Sequence, residues 1–145
     1  MHILVLNGPN LNMLGIREPE HYGTQTLAEL VQMIETEAAA LGVTVECFQS
    51  NHEGVLVDRI QEAYGKADGI LINPAAYTHT SVALLDAVKA VQIPTVEVHI
   101  SDPDTRDDFR KISYIRQACI ATVKGKGFEG YLEGLNILVH HLRQK

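Results

Sequence analysis

The sequence predicts an α/β fold, a parallel five-stranded sheet with helices on both faces. The first observation is alternation: short runs rich in β-branched and apolar residues take turns with longer segments whose apolar residues recur at helical spacing. The second is punctuation, because the helical segments carry start and stop signals where the strand runs begin again. Crossover helices between parallel strands are right-handed, which lays them against both faces of one sheet.

Strand one is read at 3–6, inside "HILVL", and a long loop, "NGPNLNMLGIREPEHYG", follows it. The first helix begins near Gln25, with Thr26 and Glu29 in capping-box spacing and Leu27, Leu30, Val31 and Ile34 on one face, and it stops at Gly42. Strand two is placed at 43–48 and a helix at 55–64 before Gly65, then strand three at 69–72 and a helix at 80–91 before Pro94. Strand four at 95–100, strand five at 120–123 and a helix at 129–142 complete the set. The expected order is 2-1-3-4-5, flavodoxin-like, in a three-layer α/β/α sandwich. In such sheets ligands bind beyond the carboxyl ends of the strands where the order reverses, here between strands one and three.

A chain of 145 residues and 16.0 kDa suits one catalytic domain over 1–145 and can bury a substantial core. Its formal net charge of -6 argues against nucleic acid or an anionic membrane surface as partner, although a local basic pocket remains compatible with it. The N-terminus enters a strand at once and no apolar run approaches the roughly 18 residues of a membrane span, so a cytoplasmic location is expected. Cys47 and Cys119 lie in apolar runs without the paired spacing of a zinc site, and they read as small core residues.

Polar and ionisable residues collect at the carboxyl ends: Asn7, Asn10, Asn12, Arg17 and Tyr22 after strand one; Asn73, Tyr77 and His79 after strand three; His99, Ser101, Arg106 and Arg110 at and after strand four. The opposite loops, "LGVTV", "GKADG" and "VQIP", are chemically bland. In "TVEVHI", alternation places Glu97 and His99 on one face and Val96, Val98 and Ile100 on the other. A carboxylate two residues away can hydrogen-bond the imidazole and favour its charged form, making His99 a candidate general acid. A structural Glu–His pair at a strand end is the alternative, and metal binding by His99, His79 and His52 is disfavoured because no ligand pair has helical i, i+4 spacing. A free phenol is a poor base at neutral pH, but Arg17, in the same loop, can stabilise a Tyr22 phenolate. Bounded by Gly15 and Gly23, that loop reads as a lid. "GKGFEG" at 125–130 is a literal G-x-G-x-x-G, but the dinucleotide fingerprint needs a following strand and an acidic residue about 20 positions on, and the chain ends first.

"NGPNLNMLGIREPEHYG", "QSNHEG", "NPAAYTHTS", "EVHIS" and "RDDFRKISY" together resemble the type II 3-dehydroquinate dehydratases, over essentially the whole chain. The resemblance implies a flavodoxin-like lyase that removes water from 3-dehydroquinate to give 3-dehydroshikimate, in the shikimate route to chorismate or in quinate breakdown, with no metal, organic cofactor or Schiff base. It casts Tyr22 as the base that takes the proton beside the ketone and Arg17 as the cation that keeps it ionised. Asn10 matches an asparagine whose associated water stabilises the enolate. His99 matches the acid that protonates the departing hydroxyl, assisted by Asn73 and oriented by Glu97. Asn73, His79 and Arg110, with the backbone at Ile100 and Ser101, match the cradle for the substrate's carboxylate and hydroxyls. Arg106 matches a lid-side charge, and Asp86 an aspartate that reaches a neighbouring subunit's site in a dodecamer, a tetramer of trimers. Leu85, where many members carry Arg, and Ile112, where His is common, depart from the pattern at flanking and interface positions.

Two other classes remain to be weighed. A flavodoxin-like binding or signalling module would need a phosphate-cradling turn or a phospho-acceptor aspartate after a strand, and neither is visible. A non-catalytic protein that kept the scaffold would have lost Tyr22, Arg17 or His99, and all are present.

Overall fold

A computed structural model describes residues 1–16 and 24–144 of the chain. The strands are β1 (His2–Asn7), β2 (Thr44–Gln49), β3 (Gly69–Asn73), β4 (Thr95–His99) and β5 (Ala121–Lys124). They form one parallel sheet, as the alternation predicts, in the expected order β2-β1-β3-β4-β5. β3 and β4 are buried along their whole length, whereas the edge strands β2 and β5 are mostly half-exposed. This burial explains why the central strands read as near-continuous apolar runs.

The α-helices among the described residues are α1 (Leu27–Leu41), α2 (Glu53–Glu62), α3 (Val82–Val91) and α4 (Glu129–Arg143). Leu30, Ile34 and Ala38 of α1 and Leu135 and Leu138 of α4 pack on Ile3, Val5, Leu71, Val96, Val98 and Val123. Across the sheet, Leu56 and Ile60 of α2 and Leu84 and Val88 of α3 pack on Leu4, Leu6, Ile70 and Ile72. Odd and even strand positions thus serve different layers, the period-two consequence of the pleat.

Side-chain caps set the starts of α1, as the sequence reading expects, and of α3. α1 starts after Thr26, whose Oγ1 accepts from the Glu29 N–H at 3.2 Å. α3 starts at Val82 rather than residue 80 because Ser81 is the cap, its Oγ accepting from the Leu84 N–H at 2.9 Å. α2 spans Glu53–Glu62, two residues earlier than expected. Cys119 lies outside β5, at the end of the 3-10 turn Ile115–Ala118, and burial pushes both cysteine thiols up to about 12. No helix of the described residues is long and apolar enough to cross a membrane.

Candidate active site

Beyond the carboxyl ends of β1, β3 and β4 lies a cleft lined by both polar and apolar residues. Pro9, Asn10 and Leu11 line it from the first loop; Asn73, Ala75, Ala76 and His79 from the turn after β3; His99, Ile100, Ser101, Pro103, Arg106 and Arg110 from β4 and the segment after it. It therefore sits where the strand order reverses. At that point the chain ends of β1 and β3 approach closely: a Cβ on Gly8 would lie 2.5 Å from the Pro74 carbonyl oxygen. Arg17 and Tyr22 lie outside the described residues. Asp86 is exposed on α3 and does not line this cleft.

Two asparagines at the strand ends share one buried phenol. Asn73 Nδ2 donates to the Tyr131 hydroxyl at 2.8 Å, and that hydroxyl donates to Asn7 Oδ1 at 2.6 Å. Asn73 Oδ1 accepts from the Ala75 N–H at 3.0 Å and pins Ala75 in a positive-φ conformation (φ 52°). Asn10 is also left-handed (φ 70°), its N–H donating to Asn51 Oδ1 at 2.9 Å, while Tyr77 donates to the Asn51 carbonyl at 2.7 Å. The first loop is thereby tied to the loop after β2.

His99 and Glu97 form the expected pair, and both are buried. His99 Nε2 donates to Glu97 Oε2 at 2.5 Å, which leaves Nδ1 as the nitrogen available to a ligand. Glu97 accepts much more: Arg116 Nε on Oε1 at 2.9 Å, Arg116 Nη2 on Oε2 at 3.3 Å and Thr122 Oγ1 on Oε1 at 3.1 Å. Ser113 Oγ and Thr78 Oγ1 reach Oε2 at 2.7 and 3.1 Å and lie 2.5 Å from each other, so one hydroxyl donates to the other and the second to the carboxylate. Burial alone would raise the Glu97 carboxyl, but the hydrogen bonds from His99 and Arg116 outweigh it and hold the group well below the usual carboxylate range.

His79 donates from Nδ1 to the Ile112 carbonyl at 2.7 Å, leaving Nε2 as an acceptor in the neutral ring. Burial pushes its pKa below the ordinary imidazole value; the Ile112 bond opposes this, while the charges of His99 and Arg110 add to it. Arg110 pairs with Asp107 at 3.3 Å and lies over the Phe109 ring at 5.1 Å.

The segment carrying Ile100, Ser101 and Arg106 is clamped by the glycine turn after β5. Gly127 N–H donates to the Ile100 carbonyl at 3.0 Å and Gly125 N–H to the Ser101 carbonyl at 3.2 Å. Lys124 is ion-paired with Asp104 and, at 3.6 Å, with Asp102. The G-x-G that lacked a dinucleotide context thus holds the cleft's own backbone.

Sequence reasoning missed Arg116, Ser113, Thr78, Thr122 and Tyr131. Their spacing from Glu97 and Asn73 follows no local period, because they come from other elements. One signal was available: a glutamate pointing inward from a central strand needs cationic and hydroxyl partners. Among the described residues no group of three or more His, Cys, Asp or Glu could hold a metal ion.

The family model described as Dehydroquinase class II matches residues 1–139. The chain is 54% identical over 144 residues to a 3-dehydroquinate dehydratase of Geotalea daltonii, covering 99% of this chain and 100% of that protein. It is 51% identical over 143 residues to a catabolic 3-dehydroquinase of Verticillium alfalfae, covering 99% and 95%. The crystal structure of type II dehydroquinase from Butyrivibrio crossotus superposes with a TM-score of 0.94 at 48% identity, covering 95% of this chain and 97% of that one.

Proposed function

The chain belongs to the class II dehydroquinases, and from that premise we propose that it is a 3-dehydroquinate dehydratase whose single domain eliminates water from 3-dehydroquinate with Tyr22 as base and His99 as acid. The observation that carries the reading is the buried Glu97–His99 pair at the carboxyl end of β4, whose His99 lines a cleft that two arginines also border.

Abstraction of a proton next to a ketone is uphill at neutral pH, so it needs an ionised base and donors where negative charge develops. Tyr22 phenolate, kept ionised by Arg17, takes the proton on the carbon beside the ketone, and the electron pair of the broken C–H bond passes to the carbonyl oxygen. A water held at Asn10 stabilises this enolate. In the second half, in the anti sense, the enolate re-forms the ketone and the electrons make the new C=C bond as the C–O bond breaks. His99, oriented by Glu97 and assisted by Asn73, gives the departing hydroxyl a proton, so water leaves. Proton return from Tyr22 to solvent and reprotonation of His99 close the cycle, with no oxidant, metal or imine required.

Arg110, His79, Asn73 and the backbone of Ile100 and Ser101 hold the substrate's carboxylate and hydroxyls, with Arg106 adding charge at the mouth. These groups provide local positive potential in a chain of net charge -6. The assembly we propose is a dodecamer, a tetramer of trimers, in which Asp86 reaches a neighbour's site; its exposure on α3, outside this chain's cleft, supports that role.

The test is ultraviolet absorbance of 3-dehydroshikimate formed from 3-dehydroquinate, with a parallel sample of protein first treated with substrate and borohydride and then freed of both, since borohydride also reduces the free ketone. Absorbance should grow equally in both. No growth in the untreated sample would overturn the dehydratase assignment, and loss of activity after the treatment, absent when substrate is omitted from it, would overturn the imine-free mechanism.

A further inference from the structure

We propose that Arg116 is a positioning residue for the elimination half of the reaction, acting through Glu97 on His99; the assignment rests on the proposed dehydratase function. Arg116 stands on the 3-10 turn Ile115–Ala118 and does not line the cleft. Its fork spans both Glu97 oxygens, Nε to Oε1 at 2.9 Å and Nη2 to Oε2 at 3.3 Å. The carboxylate itself has no exposed surface.

A buried carboxylate facing only an imidazolium has an easy way out: it takes the imidazole's proton and both charges vanish. That transfer would leave His99 neutral, without the proton it must deliver. A guanidinium cannot lose its proton under these conditions, so Arg116 keeps Glu97 an anion whichever state His99 is in. The Nε2 proton then stays on the ring, the ring keeps one orientation, and the proton delivered to the departing hydroxyl comes from Nδ1. Thr122 on Oε1 and one of the paired Ser113 and Thr78 hydroxyls on Oε2 occupy further lone pairs, so the carboxylate cannot rotate without breaking several bonds at once. Proton abstraction by Tyr22 does not use this wiring, so the two halves of the reaction should respond differently to loss of Arg116.

The experiment uses the full-length protein with 3-dehydroquinate in deuterium oxide. Product absorbance gives kcat and KM, and mass spectrometry of recovered substrate gives deuterium uptake beside the ketone. For Arg116→Met, kcat should fall about tenfold to a hundredfold, within the range a general acid supplies, while KM changes by less than about threefold. Deuterium should enter recovered substrate faster, relative to product formation, than in the unaltered protein. Arg116→Lys, which keeps a point charge but spans only one oxygen, should recover part of kcat, and it carries the test if Arg116→Met fails to fold by circular dichroism. Unchanged kcat in either folded variant, or exchange and elimination falling by the same factor, would overturn the assignment. Absence of turnover in the unaltered protein would instead overturn the functional reading on which it rests.

Discussion

Glu97 concentrates the chemistry of single residues in this protein, since one carboxylate with no exposed surface accepts from an imidazole, a guanidinium, the Thr122 hydroxyl and one of the paired Ser113 and Thr78 hydroxyls. Burial works against its charge and the donors win, so its folded pKa lies below the ordinary value of 4.5 that it regains on unfolding. Below that ordinary value the unfolded chain binds the proton first, so the native state loses stability as pH falls. The contribution is complete above about pH 5.5 and disappears progressively through pH 4.5 and downward. Thermal unfolding followed from pH 7 to pH 3 should show Tm falling with this sense. Glu97→Gln should flatten that slope and lower stability at pH 7 by about 2–3 kcal/mol, less than for a fully enclosed pair because Arg116 reaches water. An unaltered slope in the variant would assign the acid sensitivity to other carboxylates.

At the scale of elements, β4 and the turn after β5 divide the work. β4 delivers Glu97 and His99 to one face while Val96 and Val98 anchor the strand in the opposite layer. This much was legible in five letters, because a strand's alternation is local. The turn after β5 was legible only as a pattern, and its use was not: nothing in "GKGFEG" says that its amides meet Ile100 and Ser101. Gly125 is left-handed (φ 78°), and a Cβ there would sit 3.3 Å from Asp102 Cβ. Gly125→Ala should therefore cost about 1–2 kcal/mol in thermal or denaturant unfolding and raise KM for 3-dehydroquinate more than it lowers kcat. A variant as stable as the parent, with unchanged KM, would show that this turn does not hold the cleft.

The whole molecule explains why the sheet and the cleft's location were readable while the acid's surroundings were not. Alternation and crossover handedness imply a parallel sheet covered on both faces, for which 2-1-3-4-5 is one of the allowed orders, and the carboxyl-end rule then assigns Asn10, Asn73, His79, His99, Arg106 and Arg110 to one edge. Arg116, Thr122 and Tyr131 meet their partners through long-range packing, which spacing does not encode. The exact start of α3 depended on Ser81 taking the cap, whereas α2 begins after His52 with no side-chain cap to mark it.

The same topology separates the two halves of the proposed reaction: the base and its arginine belong to the loop after β1, and the acid to β4. The most direct test is deuterium uptake beside the ketone of 3-dehydroquinate recovered from incubation with His99→Ala in deuterium oxide. The account predicts labelled substrate with product formation reduced by about 10²-fold or more, because Tyr22 still removes the proton while the hydroxyl lacks its acid. Recovered substrate free of label, or product formed at the parent rate, would contradict a base and an acid carried by separate loops.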